Sequence, residues 1–163
     1  IIVSTANQRR HPDVAAELIN QGLMGEMVRI LKKKSFFYLI QLEDGYLGWI
    51  INDWVTLMSG QELAEYKTQP KVLYHKNAGS AYCEKSTDAD PVFDLVRGDI
   101  LILEKKEGNW ARVRRANGDV AFVPSNEIKD WPVLTTSQKP KTEQQLENLT
   151  VYRLKDVKGP FVG

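Results

Sequence analysis

The sequence predicts a mainly β chain, folded as two small antiparallel barrels in tandem with a short connecting helix and a C-terminal tail. Three observations predict it. The first is an internal repeat: residues 25–55 and 98–128 share one cadence at a constant offset of 73, without a gap. Gly25 meets Gly98, Lys32-Lys33 meets Lys105-Lys106, Phe37 meets Trp110, and Trp49 meets Phe122. Two copies are too few to stack as a solenoid, so they read as two domains. The second is alternation. Within each copy, apolar and polar residues alternate in short runs, the period of half-buried strands. The third is a turn at the same place in both, Asp44-Gly45 in one copy and Asn117-Gly118 in the other, the dipeptides that favour tight hairpins.

Taken in order, the first copy predicts strands over 17–23, 27–32, 36–42 and 46–51. Glu43-Asp44-Gly45 forms the hairpin between the last two, because glycine reaches positive φ without a Cβ clash. Next, Ser59-Gly60-Gln61-Glu62 reads as a capping box opening a helix over 59–68. Pro70 ends it, since the residue before proline is pushed out of the helical region. The second copy predicts strands over 92–96, 100–104, 110–115 and 120–124. Domain bounds follow: a first barrel over 1–57, a helical linker over 58–71, a second barrel over 72–131, and a tail over 132–163. A barrel of about 55 residues has a marginal core. Helix and barrels are therefore expected to pack together rather than swing on a free linker. In the tail, Thr135 to Lys141 is polar linker, 142–154 is a possible helix, and Lys158-Gly159-Pro160 would end it.

Composition narrows the function. The 163 residues are 42% hydrophobic and 26% charged, ordinary for a soluble globular protein. No apolar run approaches the roughly 18 residues of a membrane span. Twenty-two basic against twenty-one acidic residues leave a net charge of +1, which argues against a dedicated nucleic-acid binder. One cysteine excludes an intramolecular disulfide and a multi-Cys zinc site. The chain opens on Ile1-Ile2-Val3; a removed export signal or a trimmed chain would each open this way.

The repeat unit, Gly25-Glu26 with Val28, Ile30 and Leu31, then Tyr38-Leu39-Ile40-Gln41, then Asp44-Gly45-Tyr46-Leu47-Gly48-Trp49-Ile50, resembles bacterial SH3 (SH3b) domains. A longer order is more specific. It runs Asn7-Gln8-Arg9, His11-Pro12-Asp13, Ala16-Glu17-Leu18, Gln21-Gly22-Leu23-Met24-Gly25, first barrel, capped helix, Val72-Leu73-Tyr74, second barrel and Trp131. This order is similar to the N-terminal tandem of NlpC/P60 cell-wall cysteine endopeptidases, of the γ-D-glutamyl-L-diamino-acid peptidase or dipeptidyl-peptidase VI type. The resemblance implies two SH3-like small β-barrels, export to the bacterial cell envelope, and continuation into a papain-like catalytic domain. Residues 142–154 followed by Gly159-Pro160-Phe161-Val162-Gly163 look like a loose lead-in to that domain. The Asp-Cys-Ser-Gly nucleophile segment and the later histidines of that family are not in the 163 residues, so no catalytic residue is assigned.

In the resembled enzymes the first barrel leans over the catalytic cleft. A tyrosine of its Gly-Tyr-x-Gly-Trp segment there helps hold the free amino end of a muropeptide, and Tyr46 stands at that position. The aligned residue of the second copy is Asp119, so the barrel itself does not require the tyrosine. Glu17 is the countercharge for the ammonium, since a carboxylate pairs with a free amine and discriminates against a capped one. At a commonly acidic position of the family this chain has Ile19, and two residues along a strand keep one face. Tyr46 and Glu17 are thus the candidate substrate-binding pair, and the implied ligand is a muropeptide with a free N-terminal L-alanine.

Other constellations carry less. Trp49, Phe122, Phe37 and Trp110 recur in register and read as core, while Trp54 and Trp131 are placed to pack on the helix or on a further domain. Cys83 and His75 are eight residues apart around Asn77-Ala78-Gly79, with no third group to orient the imidazole. Lys32-Lys33-Lys34 and Arg112-Val113-Arg114-Arg115 split between strand faces and read as solvated edges. Asn148-Leu149-Thr150 matches a glycosylation triplet of near-chance frequency. His11 and His75 are isolated, and Asp88 and Asp90 lack converging partners, so no metal or cofactor is assigned. The reading is a peptidoglycan-peptide recognition module of an NlpC/P60-type peptidase. Its rivals are a fragment of the active endopeptidase, which a cysteine shortly past Gly163 would reveal, and an SH3-like adaptor for proline-rich helices. The adaptor mode needs an aromatic-lined groove with an acidic loop, and no Ala-Leu-Tyr-Asp-Tyr-like element is present.

Overall fold

The alternating runs of the two copies form two separate antiparallel sheets in a computed structural model that describes residues 1–131. The first barrel comprises β1 (Thr5–Arg9), β2 (Leu18–Leu23), β3 (Val28–Lys34), β4 (Phe37–Leu42) and β5 (Leu47–Ile51), in the order β2-β1-β5-β4-β3. After α1 (Gly60–Thr68) come β6 (Lys71–Tyr74), β7 (Ala78–Tyr82), β8 (Pro91–Val96), β9 (Ile100–Glu107), β10 (Trp110–Arg114), β11 (Val120–Pro124) and β12 (Ile128–Trp131). The second sheet has the order β12-β6-β9-β10-β11-β7-β8. Five of its strands repeat the first barrel's order, and β6 and β12 are added beyond β9. The linker and helix expected within 132–163, and the Asn148 triplet, lie outside the described residues.

The repeat is longer than the sequence pattern shows. Strands β1 and β7, β2 and β8, and β5 and β11 begin and end at the same offset of 73, as do the 3-10 turns Asn52–Trp54 and Ser125–Glu127. Hydrogen bonds repeat with them. The N–H of Arg10 donates to Glu17 O and that of Cys83 to Asp90 O, each at 3.0 Å. The nitrogen of Ile1 donates to Glu26 O at 2.9 Å, and that of Tyr74 to Asp99 O at 2.8 Å. Strands β1 and β7 escape the apolar pattern because their inward residues are small or polar. These are Ala6 and Gln8 in one, Gly79 and Ala81 in the other. A Cβ on Gly79 would stand 2.0 Å from the Tyr74 hydroxyl, so the tyrosine fills what a larger side chain would occupy.

Ser59 caps α1 as its pattern predicts. Its hydroxyl accepts the Glu62 N–H (3.3 Å), and the Glu62 carboxylate accepts the Ser59 N–H (2.7 Å), which holds that exposed carboxyl below the usual range. The recurrent aromatics differ from expectation. Phe37 is buried, but Trp49, Phe122 and Trp110 are only half-buried. Gly48 and Ile50 beside Trp49, and Ala121 and Val123 beside Phe122, are buried. Strand alternation therefore turns these rings to the outer face. Trp54 packs on the first barrel's own core, with Ala6, Ile40, Leu42 and Ile50.

The barrels share a junction built from one turn used twice. In each copy a carboxylate accepts the N–H three residues before it, Leu23 to Glu26 (3.0 Å) and Val96 to Asp99 (2.8 Å). Gly25 and Gly98 adopt positive φ within these turns (83° and 103°). The two turns face each other. Met24 donates its N–H to Asp99 Oδ1 (3.1 Å) and accepts the Ile100 N–H (2.9 Å). Its side chain, 1% exposed, belongs to the second barrel's core with Val72, Tyr74 and Leu101. A Cβ on Gly25 would fall 2.3 Å from the Ile100 carbonyl oxygen, so only glycine allows this approach. Tyr66 of α1 closes the same junction by donating its hydroxyl to Gly25 O (2.9 Å), and Arg115 reaches across to Ile2 O (2.8 Å). The barrels and helix are therefore packed together, as their small size demands.

One core position is imperfect. The Gln8 side chain is fully buried, and neither its amide nitrogen nor its oxygen has a hydrogen-bond partner; the second copy has Ala81 there. A buried amide without partners costs about 1–3 kcal/mol. Gln8→Met, similar in length and apolar, is expected to stabilise the protein by about 1 kcal/mol, read as a raised urea midpoint at unchanged slope.

Candidate functional site

Tyr46 sits at the end of the β4–β5 hairpin. Leu42 N–H donates to Tyr46 O (3.0 Å) and Gly45 N–H to Leu42 O (2.9 Å), with Gly45 at φ 89°. Asp44 Oδ1 accepts the Tyr46 N–H at 3.0 Å, which fixes the backbone from which the phenol projects. Tyr46 is 54% exposed. The second copy builds the same turn. Arg115 N–H donates to Asp119 O (2.9 Å), Gly118 N–H to Arg115 O (3.0 Å), and Asp119 N–H to Asn117 Oδ1 (3.4 Å). There the projecting side chain is a carboxylate already paired with Arg115. Hydrogen bonds from Asn117 and Arg115 hold it below the usual carboxylate range. One turn thus presents an exposed phenol in the first barrel and a neutralised acid in the second.

Glu17 closes the loop between β1 and β2, one residue ahead of β2. Its carboxylate accepts the Arg10 Nε–H at 2.6 Å, and both side chains are exposed. The acid recurs as Asp90 in the second copy, whereas Arg10 is replaced there by Cys83. Glu17 therefore offers a carboxylate whose charge is partly satisfied, and a ligand ammonium would share it with Arg10. Register brings Glu17 and Tyr46 to one end of the sheet, because Arg9 pairs with Leu18 on one side and with Trp49 on the other. Two strand spacings across and about two residues along place their backbones roughly 12 Å apart. Leu18 and Leu47, exposed beside them, are apolar surface at this end.

The remaining candidates do not assemble. His75 Nε2 lies 3.0 Å from Asn126 O, Cys83 is exposed beyond the far end of β7, and the whole of that strand separates them. Of the second basic cluster, Arg112 and Arg114 both pair with Glu104 (3.2 and 2.9 Å) and Arg115 pairs with Asp119, so two carboxylates offset most of its charge within the fold. Among the described residues no helix is long and apolar enough to cross a membrane. A cleft of about 270 Å³ opens elsewhere on the first barrel, between Ile1, Val28, Val55, Leu57 and Tyr66; neither Tyr46 nor Glu17 lines it.

Fold and repeat together define a tandem of SH3-like barrels. Residues 9–53, which include both Glu17 and Tyr46, match the family described as the bacterial dipeptidyl-peptidase Sh3 domain. A solved NlpC/P60 family protein from Bacillus cereus is similar over 80% of this chain, with a TM-score of 0.68 and 21% identity. That is a likeness of fold. The chain spans 55% of the length of that protein. NlpC2 from Trichomonas vaginalis, at 9% identity and a TM-score of 0.31 over 78% of this chain and 46% of its own, bears no further argument. No curated protein matches the chain.

Proposed function

We propose that this tandem recognises and positions a peptidoglycan-derived peptide for an NlpC/P60-type cysteine peptidase of the bacterial cell envelope, as the non-catalytic half of such an enzyme. The observation that carries the reading is Tyr46. It is an exposed phenol on a hydrogen-bonded turn, inside the segment that matches a dipeptidyl-peptidase Sh3 domain, at a position where the sister barrel has an ion-paired aspartate. A phenol donates and accepts one hydrogen bond while its ring covers a methyl group, which suits an N-terminal L-alanine. Glu17 would receive the ammonium in exchange for part of its bond to Arg10. The likeness to the Bacillus cereus protein supports a peptidase domain as the partner that completes the cleft, and an exported setting follows from the substrate.

Without that second wall, affinity is expected to be millimolar to micromolar, on the order of −4 to −8 kcal/mol. Titration of the chain with L-Ala-γ-D-Glu-diamino acid, followed by amide NMR, should shift Asp44, Tyr46 and Glu17. Tyr46→Ala should weaken binding about tenfold, or ~1.4 kcal/mol, and N-acetylation of the peptide should abolish it. Absence of shifts around Tyr46 at millimolar peptide would remove the reading.

A further inference from the structure

The second barrel has two strands with no counterpart among the described residues of the first. Strand β6 lies between β9 and β12. It pairs Leu73, Val72 and Lys71 with Ile100, Leu101 and Ile102 on one side, and with Lys129, Asp130 and Trp131 on the other. At the offset of 73, the same place in the first barrel is flanked by Met27, Val28 and Arg29 on one side and by Thr56, Leu57 and Met58 on the other. Five of those six residues line the cleft of about 270 Å³. Strand β3 is the edge of its sheet, whereas its counterpart β9 is covered by β6.

Ile1 closes one end of the cleft as the counterpart of Tyr74, the last residue of β6. Its nitrogen bonds Glu26 O as the Tyr74 peptide N–H bonds Asp99 O, and Ile2 N–H bonds Trp54 O (2.9 Å) as His75 N–H bonds Glu127 O (3.0 Å). The chain thus leaves the cleft at the same point and in the same direction as β6 leaves its slot. Burial lowers the Ile1 amine to about 6. A peptide N–H there would keep the bond to Glu26 without a desolvated charge.

We propose that this cleft is a strand-acceptor slot: polypeptide joined to the Ile1 nitrogen enters it as one extended strand antiparallel to β3, with an apolar side chain at the second residue ahead of Ile1. Continuity selects this occupant over a strand arriving from another molecule, whose end would abut the Ile1 amine. The apolar requirement falls on that residue because its counterpart, Val72, is fully buried in the second core, while Leu73 is half-buried. The counterpart one step earlier, Lys71, runs its ammonium to the carbonyls of Tyr66 and Gln69. Main-chain pairing along a free edge supplies affinity, and alternate side-chain pockets supply selectivity.

Grafting the second copy's own strand tests it. Two chains are made with Pro-Lys-Val-Leu or Pro-Lys-Asp-Leu placed ahead of Ile1, and amide hydrogen exchange is compared with the 163-residue chain. Leu103 N–H donates to Pro70 O at 2.8 Å, so its counterpart Ile30 and the neighbouring edge residue Val28 are the reporters. The valine extension should slow exchange at both at least tenfold and raise the melting temperature; the aspartate extension should do neither. Unchanged exchange with the valine extension overturns the proposal, as does equal protection by the aspartate extension. Dimerisation of the unextended chain with these amides already protected would assign the edge to a second copy and overturn it too.

Discussion

Met24→Ala is expected to destabilise the protein by about 3 kcal/mol and to split its unfolding into two transitions. Met24 belongs in sequence to the first barrel, yet its side chain is 1% exposed within the second barrel's core. Truncation removes buried apolar surface and leaves a cavity bounded by Val72, Tyr74 and Leu101, which cannot collapse without moving β6 and β9. The loss also falls on the junction. Met24 N–H and C=O bond Asp99 and Ile100 across the two barrels, and those bonds depend on the side chain holding the turn in place. Trp54 packs on the first core, while Trp110 and Trp131 lie in the second sheet. Fluorescence of variants that keep only one reporter would separate the barrels. Coincident guanidinium transitions in the parent and separated ones in Met24→Ala are the expected result, and Met24→Leu, which nearly conserves volume, should cost under about 1.5 kcal/mol. A loss below 0.5 kcal/mol by the measure of ordinary surface substitutions would mean that Met24 does not join the barrels.

The sequence makes the strands with large inward residues legible and hides the others. Strands β4, β5, β10 and β11 follow the alternation because Ile40, Leu42 and Ile50, with Val113 and Val123, are large and face inward. Their hairpins are legible for the same local reason, since Asp44-Gly45 and Asn117-Gly118 allow few other backbones. Strands β1 and β7 are short and lined inside by Ala6, Gln8, Gly79 and Ala81, so no apolar stripe announces them. Strand β6 begins on Lys71, a buried lysine made tolerable by carbonyl acceptors and by the Tyr66 ring 4.4 Å from its ammonium; burial keeps its pKa below the ordinary value. The junction was invisible for a different reason. Gly25-Glu26 and Gly98-Asp99 are visible as repeated dipeptides, but only the three-dimensional approach of the two turns buries one acid and leaves the other at the edge.

The candidate site divides in the same way. Tyr46 was legible because its turn is local and its counterpart Asp119 differs. The Arg10 partner of Glu17 was not, since six residues of loop separate them and only folding brings Nε to 2.6 Å. The strand-acceptor cleft was also beyond reach, because it is defined by what β6 does in the other copy rather than by any motif of its own.

Raising the pH should loosen this junction through Asp99. Its carboxyl is fully buried. Oδ1 accepts the Met24 N–H and Oδ2 the Val96 N–H, bonds that favour the charged form. Burial outweighs them, and with the Glu26 charge adding to the push, the pKa rises from the ordinary 3.8 to about 8. The sign follows from proton counting. Between about pH 4 and 8 the folded chain holds a proton that the unfolded chain releases, so stability is greatest at the acid end of this window and falls as pH rises toward 8. The Ile1 amine acts oppositely. Burial lowers it from 8.0 to about 6, so between those values the unfolded state binds the extra proton and stability rises with pH. The two slopes offset each other from about pH 6 to 8, and the parent's stability curve there should be flat. Asp99→Asn isolates the acid, because the amine titrates in both proteins. The variant keeps one acceptor oxygen and loses the other, so at pH 5 it should be less stable by about 1–3 kcal/mol. The gap should then narrow by on the order of 1 kcal/mol per pH unit, with a ceiling of about 1.4. Guanidinium unfolding of both proteins from pH 5 to 8 reads this directly. Parallel curves would show that Asp99 is ionised in the folded protein and that its two N–H donors, rather than its burial, govern the junction.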